Sequence, residues 1–241
     1  MEESEYAFLA AMEDRMWWFH GAHALMVWAL RDAAPPPGPL LDAGCGTGGL
    51  LQRLSDIAPE RLCIGLDRAP AALDHAARRK TAGLIGGCVK SLPLADVSLA
   101  AIISADILCH RDVDPRAALA ESARCLMPGG ILILNLPAYD WMKSTHDRKV
   151  HSIRRFVRRD IAGLLAGAGL RLRRATHWNA ILLPPLVLWR LLAPTTTSDV
   201  KPYPWLLDRA FRLLLGIERR VIQGGVDLGF GSSILAVAVK P

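Results

Sequence analysis

Leu40-Leu41-Asp42-Ala43-Gly44-Cys45-Gly46-Thr47-Gly48-Gly49-Leu50 is the stretch that decides the fold. Its apolar start has the length of a short buried strand, its glycines mark a tight turn, and the residues from Gly48 open a helix. Glycine is the residue that tolerates a sharp bend and lets a backbone approach a ligand closely. A helix beginning there turns unpaired N–H groups toward any docked anion. The spacing Gly44-x-Gly46-x-x-Gly49 also matches the dinucleotide-binding fingerprint. The glycines alone therefore leave open a dinucleotide site, another adenosyl site, and a turn that binds nothing.

Working outward, Arg61-Leu62-Cys63-Ile64-Gly65-Leu66-Asp67 reads as a second buried strand that ends in an acid. A carboxylate there accepts hydrogen bonds from ribose hydroxyls in adenosine-containing ligands generally. Strands are expected near 39–43, 61–66, 84–88, 99–104 and 130–136, with helices near 48–56, 69–80 and 113–126. Strands alternating with helices predict a parallel sheet covered on both faces. Ligands bind such sheets at the carboxyl ends of the strands. Asp42, Gly44, Asp67, Cys88 and Ser104 fall at those ends and converge on one rim. Asp112-Val113-Asp114-Pro115 is a helix start, because Asp caps well and Pro suits the first turn.

Four further steps follow in order: Ser91-Leu92-Pro93-Leu94, Asp106-Ile107-Leu108-Cys109-His110, Pro128-Gly129-Gly130, and the strand Ile131–Asn135. Together with the Asp42-x-Gly44-x-Gly46-x-Gly48 turn, this set resembles the class I S-adenosylmethionine (SAM) dependent methyltransferases across roughly residues 38–137. The resemblance implies an α/β, Rossmann-like, seven-stranded and mostly parallel sheet with helices on both faces and a helical lid or insertion. It implies SAM as cofactor and S-adenosylhomocysteine as product. It places Gly44, Cys45 and Gly46 under the methionine end, Asp67 on the ribose, and Arg68 beside the adenine. Many relatives carry an acid four residues before the Leu-Pro step, whereas this chain has Cys88, followed by Val89. A thiol is a poor acceptor. Adenine is then left to backbone groups and to contacts from Val89 and Leu66, at a cost of roughly 1.5–3 kcal/mol for the missing charged hydrogen bond.

The flanking segments supply the rest of the expected site. Residues 1–37 read as an N-terminal helical arm, 38–178 as the cofactor core, 179–225 as a helical insertion over the acceptor, and 226–241 as the final strand. Trp17-Trp18-Phe19 cannot share one helix face, since each residue turns the helix by about 100°. These aromatics resemble the "WWF" arm of some bacterial methyltransferases, which brings Trp18 and Phe19 to the cofactor. After the fifth strand, the run from Pro137 to Phe156, which holds Tyr139, Trp141, His146, Asp147, His151 and Arg155, resembles a "W-S-x-H-D…H-x-x-R" segment of a bacterial branch linked to lipid, polysaccharide and natural-product pathways. Methyl transfer is an in-line displacement that depends chiefly on position. A hydroxyl acceptor must also lose a proton, which an imidazole accepts. His146 and His151 are the candidate bases, with Asp147 to orient them. His110, Tyr139, Trp141 and Arg155 are candidates for holding the acceptor. The spacing of the two histidines does not place them on one helix face, so no metal is expected.

The composition bounds the alternatives. The 241 residues are 51% hydrophobic, enough for a sizeable core. Five cysteines without a C-x-x-C pair suit a reduced compartment. The acidic start Met1-Glu2-Glu3-Ser4-Glu5 has no signal-peptide pattern. A cytoplasmic location is therefore expected. The net charge of +6 and the apolar, basic stretch around Trp205–Arg220 permit peripheral contact with a membrane. The run Ala180–Trp189 is too short and too broken by proline to span a bilayer, which takes about 20 residues. The expected function is methylation of a small or amphipathic acceptor, at oxygen. The alternatives are a silent SAM-binding scaffold and an RNA methyltransferase. No RNA-binding module or interleaved aromatic pattern supports the latter, so no nucleic acid partner is expected.

Overall fold

The computed structural model describes residues 3–79, 83–143, 147, 150–192 and 203–241. Strands β1 (Leu40–Ala43), β2 (Cys63–Asp67), β3 (Leu84–Gly86), β4 (Leu99–Ala105), β5 (Leu126–Pro137), β6 (Arg171–Trp178) and β7 (Ser233–Val239) form one sheet. Their order is β3-β2-β1-β4-β5-β7-β6. The first five run parallel, and β7 lies antiparallel between β5 and β6. The near-continuous apolar strands follow from burial on both faces. Ala101, Ile103, Ile131 and Ile133 face one apolar layer, and Ile102, Leu132 and Leu134 face the other. That is the two-residue period of a strand.

Helices α1 (Glu3–Glu13), α2 (Trp17–Ala33), α3 (Gly49–Ile57), α4 (Pro70–Ala77), α5 (Pro115–Cys125), α6 (Arg158–Ala166), α7 (Leu183–Leu192) and α8 (Trp205–Gln223) surround the sheet. One layer takes side chains from α2, α3 and α8, the other from α5 and α6. Asp114 caps α5 by accepting the Arg116 N–H at 3.1 Å. The chain moves from β1 outward to β3, then returns to the other side of β1 with β4. A crevice therefore opens at the carboxyl ends of β1 and β4.

Two strands differ from expectation. β3 stops at Gly86, because Gly87 donates to the Asp67 carbonyl and Cys88 turns back toward Ser91. β5 begins at Leu126, ahead of the glycine pair, since Leu126 still pairs with Leu99. The pairing then jumps from Leu99–Leu126 to Ala101–Ile131, so the Pro-Gly-Gly residues bulge out. Gly129 has φ +75 and hydrogen-bonds the Lys240 carbonyl at 2.8 Å.

The three consecutive aromatics split between neighbours. Trp17 packs edge-on to Phe211 and Tyr203, with ring centres 5.3 and 6.4 Å away. Trp18 meets Trp178 of β6 at 5.7 Å. Helix α8 is held on α2 where Leu215 crosses Gly21, and the Trp17 N–H donates to Asp208 at 2.7 Å. The buried Glu218 of α8 accepts the N–H groups of Asn179, Ala180 and Ile181. One carboxylate thus fixes α8 to the turn that leaves β6.

Candidate active site

A cavity of about 400 Å³ lies over the carboxyl ends of β1, β2, β4 and β5. That volume falls in the range of small-molecule sites. The glycine turn forms its floor, with φ +86, +52 and +84 at Gly44, Gly46 and Gly48. A Cβ on Gly44 would lie 2.2 Å from Ile107, so this position admits no side chain. The Asp67 carboxylate accepts from Gly46 N–H at 3.0 Å and from Ala69 N–H at 2.9 Å. It therefore shapes the turn while lining the cavity. Beyond it, Arg68 bridges to Asp112 at 2.7 Å across the mouth. Helix α1 contributes Tyr6, Phe8 and Leu9 to the walls. Burial, and then the Asp67 charge, push the Tyr6 phenol up.

The amino end of α3 already holds an anion. Glu13 accepts from Thr47 Oγ1 at 2.5 Å, from Gly49 N–H at 3.0 Å and from Arg79 at 3.2 Å. A Cβ on Gly49 would meet the Glu13 carboxyl carbon at 2.3 Å. In a dinucleotide site this is where the pyrophosphate docks. Here the protein's own carboxylate occupies it. Behind the turn, Asp42 is 1% exposed, and its Oδ2 has no hydrogen-bond partner. Burial first, then the charges of Glu13 and Asp67, push its carboxyl well above the usual range. Asp42, Asp67 and Asp106 thus bring three carboxyl groups to the strand-end side of the cavity.

The opposite wall is stitched from two distant segments. Ile153 N–H and Arg154 N–H both donate to the Cys109 carbonyl, and Arg111 N–H donates to that of His151. The Arg154 guanidinium donates to the carbonyls of His110 at 2.7 Å and Val113 at 2.8 Å. Arg155 grips both oxygens of Asp147, at 3.0 and 2.9 Å, and donates to the Ala138 carbonyl. Its buried Nε has no partner among the described residues. Asp106 has φ +54 and receives Asn135 Nδ2 on both carboxylate oxygens, at 3.1 Å each. Trp178 Nε1 donates to Asn135 Oδ1 at 2.8 Å and fixes that amide. Burial raises the Asp106 carboxyl to about 7, against the pull of Arg155. Burial also lowers the His110 imidazole.

Trp18, Phe19, Asp42, Gly44, Cys45, Gly46, Asp67, Arg68, Cys88, Val89, His110, Asp147, His151 and Arg155 come together around this one cavity. Ser104, Tyr139 and Trp141 are not among its lining residues. The Ser104 hydroxyl turns into the sheet and donates to the Ala43 carbonyl at 3.1 Å. Tyr139 stacks on His177 at 5.3 Å and on Trp141 at 5.9 Å, and Trp141 is 65% exposed. His146 lies outside the described residues. Glu13, Tyr6 and Asn179 also line the cavity with no motif to mark them, and Asp106 enters it from the Asp106–His110 step. Glu13 and Asn179 owe their positions to partners far along the chain, at Thr47 and Glu218. For Asp106, an acid at a strand end was a usable signal. Among the described residues, no group of three His, Cys, Asp or Glu side chains is arranged to hold a metal.

Comparison with known proteins finds methyltransferases. Residues 41–134 match the family model described as a methyltransferase domain. The chain is 28% identical over 219 residues to a protein of Mycolicibacterium smegmatis named a "probable S-adenosylmethionine-dependent methyltransferase", covering 84% of this chain and 81% of that one. It is 37% identical over 100 residues to the malonyl-[acyl-carrier protein] O-methyltransferase of Hahella chejuensis, covering 40% of this chain and 36% of the relative. The chain thus spans little more than a third of the length of several curated relatives that it matches. The geranyl diphosphate C-methyltransferase of Streptomyces coelicolor A3(2), solved with S-adenosyl-L-homocysteine, has the same fold. Its TM-score is 0.60 at 19% identity, over 92% of this chain and 81% of that one.

Proposed function

We propose, from the premise that this chain carries a class I SAM-dependent methyltransferase domain, that it moves a methyl group from SAM to the oxygen of a small or amphipathic acceptor. The observation that carries this is the electrostatics of the cavity. Its glycine turn is flanked by the orphaned Asp42 carboxyl and by Asp67, while Glu13 closes the helix end that a pyrophosphate would need. A ligand with an ammonium and a sulfonium suits that wall, and a dinucleotide does not. SAM supplies an activated methyl carbon with a neutral leaving group. In our reading Asp67 holds the ribose, and Leu66 and Val89 flank the adenine, with Arg68 at the mouth. Gly44, Cys45 and Gly46 support the methionine end.

An amphipathic acceptor is supported by the contrast between walls. Trp17, Trp18, Phe19 and Tyr203 offer an aromatic side, and Asp106, Arg155 and Asn179 a polar one. His151, with its ring at the solvent-exposed rim, is assigned to hold or deprotonate the acceptor there. Oxygen as the accepting atom is supported by two titratable groups in reach of the cavity, His151 and Asp106. Outside, the exposed Trp205, Leu206, Leu213 and Ile217 of α8 alternate with the exposed Arg209 and Arg220. That face supports peripheral contact with anionic lipid. Failure to co-sediment with anionic vesicles would remove this part.

Calorimetry with SAM and S-adenosylhomocysteine tests the premise, with micromolar binding expected. Mass spectrometry of lipid, polysaccharide-precursor and acyl-carrier extracts should then reveal a methyl gain dependent on the protein. Binding without any such gain would favour a silent SAM-binding scaffold.

A further inference from the structure

We propose that Asp106 is the group that takes the acceptor's proton, from a carboxylate held beside the methyl-transfer point. This rests on the functional reading above and adds to it a catalytic residue. Asp106 lies between the two halves of the cavity. Its neighbour Ile107 packs directly on Gly44 of the cofactor turn. On the other side its own turn is bonded to the segment of Ile153 and Arg154 through the Cys109 carbonyl. A group at that junction faces the donor and the acceptor together.

Asp42 is buried behind the glycine turn, and three other carboxylates of the wall are engaged elsewhere. Asp67 holds two N–H groups of the cofactor turn, Glu13 caps α3, and Asp147 is gripped by Arg155 through both oxygens. Asp106 instead receives a single nitrogen, Asn135 Nδ2, which straddles both of its oxygens. Lone pairs remain for a hydroxyl in the cavity. Its left-handed backbone, φ +54, is unusual outside glycine. It is maintained by the Asp106 N–H bond to the Asn135 carbonyl at 3.0 Å, and such conformations concentrate at working sites.

The groups around it set its proton affinity. Arg155 and Asp147 bring opposite charges from one side. Asn135 of β5 is neutral, and the Cys109 thiol donates to the Asp106 carbonyl. Desolvation outweighs these influences and leaves the carboxyl near 7, matched to proton transfer at neutral pH. In the step itself the acceptor O–H bond breaks, and its proton passes to Asp106. The oxygen forms its bond to the methyl carbon, and the carbon–sulfur electron pair stays with the departing thioether. Asp106 then releases the proton to water at the cavity mouth.

SAM and S-adenosylhomocysteine differ only by the methyl group and its positive charge. A carboxylate beside that methyl therefore favours SAM over the thioether only when ionised. In the wild-type chain the preference for SAM should rise about fivefold from about pH 6 to about pH 8. Asp106→Asn should abolish that rise, and His151→Ala should leave it intact. A preference independent of pH in the wild type, or one lost in His151→Ala, would overturn the assignment of Asp106. If neither ligand binds at any pH, the functional reading itself fails.

Discussion

At the scale of single residues, Cys88 marks where this chain departs from the pattern of the methyltransferases that it resembles. It lies just after β3 in the cavity wall, at the position where the resemblance implies an acid that accepts from the adenine amine. Its turn is set by the Ser91 N–H bond to the Cys88 carbonyl at 3.0 Å, which uses the backbone and not the thiol. Cys88→Asp should tighten S-adenosylhomocysteine binding by about tenfold, the worth of one charge-assisted hydrogen bond. Calorimetry decides this, and unchanged or weaker binding would place the adenine elsewhere. Asp67 and Asp106 show the other side of the same scale. Each is an acid at a strand end, yet one is dressed with backbone N–H groups and the other takes the side-chain amide of Asn135, with Arg155 and Asp147 nearby.

At the scale of elements, the first helix is attached to the cofactor turn by one side chain. Glu13→Ala would leave the Thr47 hydroxyl and the Gly49 N–H without an acceptor. It would also remove one of the carboxylates on Arg79, which keeps Asp14 and Gln52. The expected loss is about 3 kcal/mol in urea unfolding, with partial recovery in Glu13→Gln. An unchanged midpoint would show that α1 is not docked. Glu218 does the corresponding work at the other end of the chain, where α8 carries a carboxylate to three consecutive N–H groups. Both helices come from outside the glycine-turn core; α1 brings its buried acid to the cavity wall, while α8 uses its own to fix the turn at Asn179, which lines the cavity.

At the scale of the whole molecule, buried titratable groups give stability a defined pH dependence. The folded chain keeps the Asp106 proton up to about 7, against an ordinary value of 3.8. Stability from that group is complete below the ordinary value and is lost as pH rises through 7. Asp42 acts in the same direction. His23 acts in the opposite one, since burial lowers it to about 3 from 6.5. Its contribution is present above 6.5 and is lost as pH falls. Above about pH 6.5 only the carboxyl effect remains, so stability should fall toward about pH 8, with Asp106 alone contributing about 1 kcal/mol. Thermal melts across that interval test this, and Asp106→Asn should remove its share. A flat profile would mean that Asp106 and Asp42 ionise normally. The order of strands and helices, the glycine turn and the acid that ends β2 were all legible in the sequence, because each is written in local periodicity and turn chemistry. So was the convergence of strand ends on one rim, since a parallel sheet has only one such edge. The turn of Ser104 into the sheet and of Tyr139 onto His177 was not legible, nor was the closing of the α3 terminus by Glu13. Those outcomes depend on which side chains meet across tens or hundreds of residues, and only the packing of helices on both faces of the sheet decides that.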